Sequence, residues 1–470
     1  MKRWWRWCLL GLIVLRLPSL WEPYWYGDEG IYLAIGQGLR QGQLLYGEIH
    51  DNKPPLLYWL AAVGGSVFGF RLLLTVWMIA TLGIMRRLVE KLTVVEGKQK
   101  WILGVFVVLT CIPLLEGNIA NAEIFMVGPT VLGVWWMLTA KKIREYWWSG
   151  LALGIALTIK IPVAAEMGWF LIWMWLVGKK PKEWLAWSLA AVVPMLLWGG
   201  YYWLEGVGGK FVWAAITNNF GYLSSWATGT HSGGATSGGL IFRALWLMGS
   251  WGVVGYLMLK KRLTAIEGLL IGWFGATLFG ATMSERPYPH YLIQLIPAGL
   301  ALATAWGKRR LVKIAAALLA TVMVVAIIKY KFYFYPTLGY YRNFAGYMSG
   351  KIDKKGYFDF FGSGTNQTYQ VAQKIREYSD ESDKIFVWGD EAYLYPLSQR
   401  LAASKYLVAY HIVDFGKKDE LMRELRSITP ALVVYFPMEG RKLEEFDRWL
   451  ELYYRPVDQV GRVILYKYAE

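Results

Sequence analysis

The sequence predicts an α-helical polytopic membrane protein of about 11 transmembrane helices, within a range of roughly 10–13, followed by a small extracytoplasmic α/β domain. Three observations predict it. Of the 470 residues, 56% are hydrophobic and the mean hydropathy is +0.30, more apolar residue than a soluble core uses. Apolar runs long enough to cross a bilayer recur along residues 1–331. Basic residues gather in short clusters that occupy every second gap between those runs. The 27 Trp and 30 Tyr fit the same class, because amphipathic rings favour the headgroup level.

The net charge of +16 raises nucleic acid as a partner, and its distribution argues against one. Residues 1–350 hold 32 Lys+Arg against 15 Asp+Glu, whereas residues 351–470 hold 18 against 19. The basic excess therefore lies in the apolar part, where it acts as a topology signal.

The first run, Trp4 to Leu20, has the length of a signal peptide. Arg16 interrupts it and no small-residue cleavage site follows, so it reads as a retained first span. The later runs are approximately 56–85, 101–115, 122–140, 147–160, 163–178, 184–204, 240–259, 264–283, 288–306 and 311–330. The clusters Lys2/Arg3/Arg6, Arg86/Arg87/Lys91/Lys98/Lys100, Lys141/Lys142/Arg144, Lys179/Lys180/Lys182, Lys260/Lys261/Arg262 and Lys308/Arg309/Arg310/Lys313 mark the cytoplasmic gaps. This puts the N-terminus inside and the C-terminal part outside. Segment 56–85 is long for one span and contains Arg71; a short interfacial helix followed by one span preserves the parity. Cys8 and Cys111 lie in apolar runs and form neither a disulfide framework nor a zinc pattern.

From about residue 335 the pattern changes. Lys384–Trp388, Ala431–Phe436 and Val463–Tyr466 read as short buried strands, with amphipathic helices over 366–379, 417–427 and 441–452. The division is thus a transmembrane domain over 1–334 and a soluble α/β domain over 335–470.

The outward gaps hold the unusual polar residues: Asp28, Glu29, His50, Asp51, Lys53, Glu116, Asn121, Glu123, Lys160, Glu166, Glu285, Arg286 and His290. Ionisable groups near a bilayer point to function. Snorkelling at span ends is the plainer reading for Lys160 and Glu166. The first outer loop, 22–55, is the most informative. Asp28-Glu29 follows the first span and can supply a general base. Lys53 precedes Pro54-Pro55, where the next helix must begin, and a cation at a helix N-terminus suits a phosphate. A solvated acidic pair and an interfacial lysine would account for each element separately. The outer loop 205–239 is rich in Gly, Ser and Thr, and reads equally as a cover over substrates or as a plain connection.

On these residues the chain resembles the bacterial membrane glycosyltransferases of the GT-C class, related to the protein O-mannosyltransferases and the aminoarabinose transferases of lipid A (glycosyltransferase family 39-like). The matching pieces are Asp28-Glu29 followed by Tyr32, Gly42-Gln43-Leu44-Leu45-Tyr46, and Lys53-Pro54-Pro55-Leu56. Asn121-Ala122-Glu123, Thr158-Ile159-Lys160 and Arg286-Pro287-Tyr288-Pro289-His290-Tyr291 also match, over roughly residues 1–330. The resemblance implies a donor sugar carried on a polyprenyl phosphate and inverting transfer to a hydroxyl of an acceptor glycan, lipid or protein. It implies Asp28 as base and Lys53 near the lipid phosphate; Glu29 and Glu123 match further acidic positions, and Glu29 is grouped with Asp28 as a catalytic candidate. Arg286 and His290 are further candidates for the phosphate; Tyr32, Tyr58, Asn121, Glu123 and Tyr291 are candidates for substrate contacts. No cofactor is required by this chemistry. His50, Asp51, Glu123 and His290 have the donor atoms for a divalent metal, but no fixed spacing supports one. A transporter or flippase of lipid-linked saccharides is the alternative; it calls for repeated halves with broken helices at mid-membrane, and the sequence has no such symmetry.

Overall fold

The computed structural model describes residues 3–218, 238–283, 288–305, 310–329, 336–437 and 443–469. Every apolar run read from the sequence contains a helix. The first part of the chain comprises α1 (Arg3–Arg16), α2 (Gly27–Arg40), α3 (Leu56–Gly64), α4 (Val67–Leu92), α5 (Glu96–Cys111), α6 (Ala122–Thr139) and α7 (Ile143–Leu157). It continues through α8 (Val163–Leu176), α9 (Pro181–Leu204), α10 (Gly208–Val212), α11 (Gly238–Leu259), α12 (Ala265–Thr282), α13 (Leu295–Thr304) and α14 (Arg310–Lys329). Among the described residues, five helices are long and apolar enough to cross a membrane: α4, α6, α9, α11 and α12. Leu185, Leu196 and Leu197 on α9, and Phe242, Leu245 and Met248 on α11, are exposed, as lipid-facing side chains are.

Segment 56–85 resolves into the short helix and the single long helix that its length called for. Gly65 ends α3 in the left-handed region (φ 72°), which a residue without Cβ adopts at little cost. Ser66 then caps α4, its hydroxyl accepting from the Gly69 N–H at 3.1 Å.

The first outer loop differs from expectation, because its first half is helical. Residues 27–40 form α2, with Asp28 and Glu29 in the first turn, where acidic groups complement the exposed N–H groups. Its small residues explain why it packs so tightly: a Cβ on Gly36 would stand 2.7 Å from the Ala62 nitrogen of α3. Only a glycine lets the two backbones meet.

The C-terminal part comprises α15 (Thr337–Met348), α16 (Lys354–Asp359), α17 (Thr365–Tyr378), β1 (Lys384–Trp388), α18 (Leu394–Ser398), β2 (Leu401–Ala402) and α19 (Ala409–Asp414). It ends with α20 (Lys418–Ile428), β3 (Leu432–Tyr435), α21 (Glu444–Tyr453), β4 (Tyr454–Val460) and β5 (Val463–Tyr468). The sheet order is β2-β1-β3-β5-β4, parallel across β2, β1 and β3 and antiparallel across β3, β5 and β4. The sequence pattern identified β1, β3 and β5, which are central and apolar, and missed β2 and β4, which are edges. Edge strands tolerate Arg455, Pro456 and Asp458, so β4 lacks the hydrophobic signature.

Candidate active site

Two clusters of polar side chains meet where α2 begins. The first is built on the loop between α2 and α3. Lys53 Nζ lies 3.7 Å from Asp28 Oδ2 and 3.8 Å from Asp51 Oδ2, and 5.0 Å from the centre of the Tyr32 ring. The Tyr32 hydroxyl donates to Asp28 Oδ2 at 3.0 Å, one helical turn further along α2. The Tyr58 hydroxyl donates to Asp51 Oδ2 at 2.7 Å and accepts from the Lys53 N–H at 3.1 Å. The Tyr46 hydroxyl donates to the Lys53 carbonyl at 2.7 Å. Three tyrosines therefore hold the loop, and Pro54-Pro55 starts α3 immediately after the lysine.

The Asp28 side chain keeps 36% of its surface exposed, whereas Asp51 is buried. Lys53 and the Tyr32 hydroxyl both meet the Asp28 carboxylate at Oδ2 rather than Oδ1. Burial works against the Asp28 carboxylate; Lys53 first, then His290 and the Tyr32 hydroxyl, outweigh it and hold its pKa below the usual carboxylate range. The same opposition holds the Asp51 pKa down, with burial against and Lys53, His411 and Tyr58 in favour of the charged form.

The second cluster joins α6, the turn between α7 and α8, and the 3-10 turn Pro289–Gln294. Lys160 pairs with Glu123, and its ammonium stands 4.3 Å from the centre of the Tyr291 ring. His290 Nε2 lies 3.6 Å from Glu123 Oε1, and His290 Nδ1 lies 2.5 Å from Glu116 Oε2. Glu116 Oε2 also accepts from the Tyr26 hydroxyl at 2.9 Å. The Leu56 N–H donates to the Thr158 carbonyl at 3.1 Å, which ties the start of α3 to the turn carrying Lys160. Asn121 is buried at the N-terminus of α6, and neither its side-chain oxygen nor its nitrogen has a hydrogen-bond partner.

Glu29 has a different setting. Its carboxylate accepts twice from Arg71, Nε to Oε1 at 2.9 Å and Nη2 to Oε2 at 2.6 Å, and it is buried. Arg71 Nη1 reaches Glu22 Oε2 at 2.7 Å. Glu22 in turn accepts from Asn118 at 2.8 Å, Trp25 at 2.8 Å and Tyr340 at 2.5 Å. Arg16, behind this group, donates to the Gly117 carbonyl at 2.6 Å and to Thr75 at 3.2 Å.

The structure thus gathers Asp28, Tyr32, Lys53 and Tyr58 in one cluster and Glu123, His290 and Tyr291 in its neighbour. Arg286 and Glu285 lie outside the described residues, as does 219–237 of the outer loop. Lys160 and Glu166 are not snorkelling residues. Lys160 is drawn inward by Glu123, and Glu166 is buried and accepts from Trp273 Nε1 at 2.5 Å. The bilayer-facing alternative loses because each has an interior partner. Sequence reasoning assigned no structural part to Asp51, Tyr46, Glu116 or Arg71; only the spacing of Asp51 and Tyr58 across the two prolines carried a local signal. Among the described residues, no three His, Cys, Asp or Glu side chains gather as a metal site. His50 faces His411, Tyr406 and Trp213 rather than Glu123 and His290.

No protein-family model matches the chain. A curated protein of Aquifex aeolicus (strain VF5), described as uncharacterized, is 26% identical over 188 residues. That match covers 37% of this chain and 38% of the relative, so the chain spans well under half of the curated relative it matches. The crystal structure of ArnT from Cupriavidus metallidurans bound to undecaprenyl phosphate superposes with a TM-score of 0.57 at 15% identity, covering 99% of this chain and 98% of that one. The apo form of the same protein gives 0.53 at 14% identity, covering 98% and 97%.

The chain shares the fold of ArnT. Coverage of nearly the whole of both chains means that the likeness extends over the helical part and the C-terminal sheet together. The chain is accordingly a multi-pass membrane protein.

Proposed function

We propose that this protein is an inverting glycosyltransferase that moves a sugar from a polyprenyl-phosphate donor to an acceptor hydroxyl at the outer face of the cytoplasmic membrane. The observation that carries this reading is the pairing of Asp28 and Lys53, a partly open carboxylate 3.7 Å from a cation. It belongs to a fold shared with a protein crystallised with undecaprenyl phosphate.

The chemistry follows from the two charges. Asp28 takes the proton of the acceptor hydroxyl as its oxygen bonds to the anomeric carbon. The anomeric carbon–phosphate oxygen bond breaks on the opposite side, and its electron pair leaves with the polyprenyl phosphate. One displacement inverts the centre and needs no covalent enzyme intermediate. Lys53 balances the charge that develops on the leaving phosphate, with Lys160, His290 and Arg286 as further cations. Phosphate at Lys53 would also relieve the depression of the Asp28 pKa, making Asp28 a stronger base when the donor is in place. Tyr32 fixes the Asp28 carboxylate, and Tyr58, Asn121, Glu123 and Tyr291 are the substrate-facing candidates. Glu29 contributes by anchoring α2 through Arg71.

Two features support the outer face as the location. The Asp28–Lys53 corner lies beside the C-terminal domain, and Arg86 and Arg87 lie roughly 20 Å from Arg71 along α4, at 1.5 Å per residue. Those basic residues mark the cytoplasmic end.

The test supplies labelled polyprenyl-phosphate sugars, with source membranes as acceptor, to the protein in nanodiscs. Label should move to a glycan, lipid or protein acceptor, and Asp28→Asn should lower the rate by about 10²- to 10⁴-fold, the usual worth of a general base. Full transfer by Asp28→Asn would move the base elsewhere. Lipid-linked sugar crossing the bilayer without transfer would favour a flippase.

A further inference from the structure

The C-terminal domain does more than sit on the helical part; it reaches the donor corner with one side chain. His411, on α19, is buried, and its Nε2 lies 3.5 Å from Asp51 Oδ1. The two oxygens of Asp51 face different partners. Oδ1 meets His411 and the Asn52 N–H, at 2.7 Å; Oδ2 meets the Tyr58 hydroxyl at 2.7 Å and Lys53 at 3.8 Å. Asp51 is therefore a two-sided bracket between the C-terminal domain and the lysine.

The surroundings of His411 keep it in place. It stacks on Phe415 at 5.2 Å and stands 6.1 Å from His50. His50 is itself tied to the domain, its main-chain N–H donating to the Lys405 carbonyl at 2.9 Å. Burial, followed by the neighbouring histidine, pushes the His50 pKa down to about 3; burial likewise lowers that of His411, against the pull of Asp51. Burial thus favours the neutral form of both rings, and a proton on the His411 nitrogen that faces Asp51 would let that ring donate to the carboxylate. The other, Nδ1, has no partner. A neutral N–H is the group needed here: it orients Asp51 without neutralising it, so Asp51 still attracts Lys53.

We propose that His411 is a positioning residue of the donor-phosphate site, acting through Asp51 to set the place of Lys53, so that the site is complete only with the C-terminal domain docked. This inference rests on the reading of Lys53 as the phosphate-binding cation. Neither composition nor spacing links position 411 to position 53; the two share a site only because the domain folds back on the first loop.

The test measures undecaprenyl phosphate binding, and KM against kcat for transfer, with the full chain in nanodiscs. His411→Phe keeps the ring that stacks on Phe415 and removes the N–H. It should weaken undecaprenyl phosphate binding about 5- to 10-fold and raise the donor KM, with kcat lowered by less than the loss in Lys53→Gln. His411→Gln, which restores an N–H donor, should recover most of the affinity. In an Asp51→Asn background, His411→Phe should have no further effect, because the path it acts on is already cut. Wild-type affinity in His411→Phe, equal losses in the Phe and Gln variants, or losses that add in the double variant would each overturn the proposal. A thermal melt separates these from a folding defect: a purely structural role would lower the melting temperature and leave the affinity of the folded fraction unchanged. Should the wild type bind no undecaprenyl phosphate and Lys53→Gln be silent as well, the donor reading itself fails and this inference falls with it.

Discussion

Asp28 and Glu29 are neighbours in sequence, and the fold gives them opposite lives. Asp28 is partly open, with one oxygen held by Tyr32 and Lys53. Glu29 is closed in, gripped by Arg71, which also holds Glu22. The difference arises from helix geometry: successive residues on a helix point about 100° apart, so one carboxylate faces Lys53 and the next faces Arg71 of α4. A carboxylate that keeps a free oxygen can take up a proton; one whose oxygens both serve a buried arginine is a structural tie. An acidic pair in sequence is thus one candidate base and one anchor.

The largest effect expected from breaking this contrast is on the anchor side. Arg71→Met leaves two buried carboxylates without their cation and should destabilise the fold by about 3–5 kcal/mol. Glu29→Gln should lower the melting temperature and yield of folded protein, while that folded fraction keeps its turnover. Asp28→Asn should do the reverse, keeping the melting temperature and losing transfer. Loss of turnover in folded Glu29→Gln at the level of Asp28→Asn would overturn the division of roles.

Lys53→Gln comes next, with a transfer rate lower by about 10²-fold, the lower end for removing a group that stabilises developing charge. It also has a pH signature. Lys53 is the main group lowering the Asp28 pKa, so Asp28 stays ionised well into the acid range and loses its charge only as pH falls through that lowered value. Without Lys53, burial is less opposed, and the acid limb of the pH–rate profile should move up toward neutrality. An unmoved limb would mean that Asp28 is not the group being titrated.

The smallest effect is that of Tyr32→Phe. It removes the hydroxyl bonded to Asp28 Oδ2 and keeps the ring beneath the Lys53 ammonium. Loss of one hydrogen bond to a charged group that keeps its cation corresponds to about 1.5 kcal/mol, the lower end for such a bond, read here as a rate lower by roughly tenfold with an unchanged melting temperature. The same loss in an Asp28→Asn background would show that Tyr32 acts elsewhere.

How much of this was visible beforehand depends on the range of the signal. The helices were legible because apolar length and basic punctuation are local properties, and α4 begins where Gly65 and Ser66 break the run. Lys53 and Asp28 could be singled out because a lysine before two prolines and an acidic pair after a span are short patterns. The helix α2 was hidden by its glycines, which lower helix propensity but are needed for its approach to α3. Strand β4 was hidden by its place at an edge.

By itself, then, the sequence determined the membrane class, the order of the helices, the central strands of the C-terminal domain and two charges, Asp28 and Lys53, that the structure brings together. These follow from hydrophobic length, charge placement and turn chemistry, which act over a few residues. Only the tertiary structure decided that Glu29 belongs to Arg71, that Lys160 turns inward to Glu123, and that His411 reaches Asp51. Each of these is a pairing across distant segments, and the physical reason is one: a buried charge must find a partner, and the chain's fold alone settles which partner is within reach.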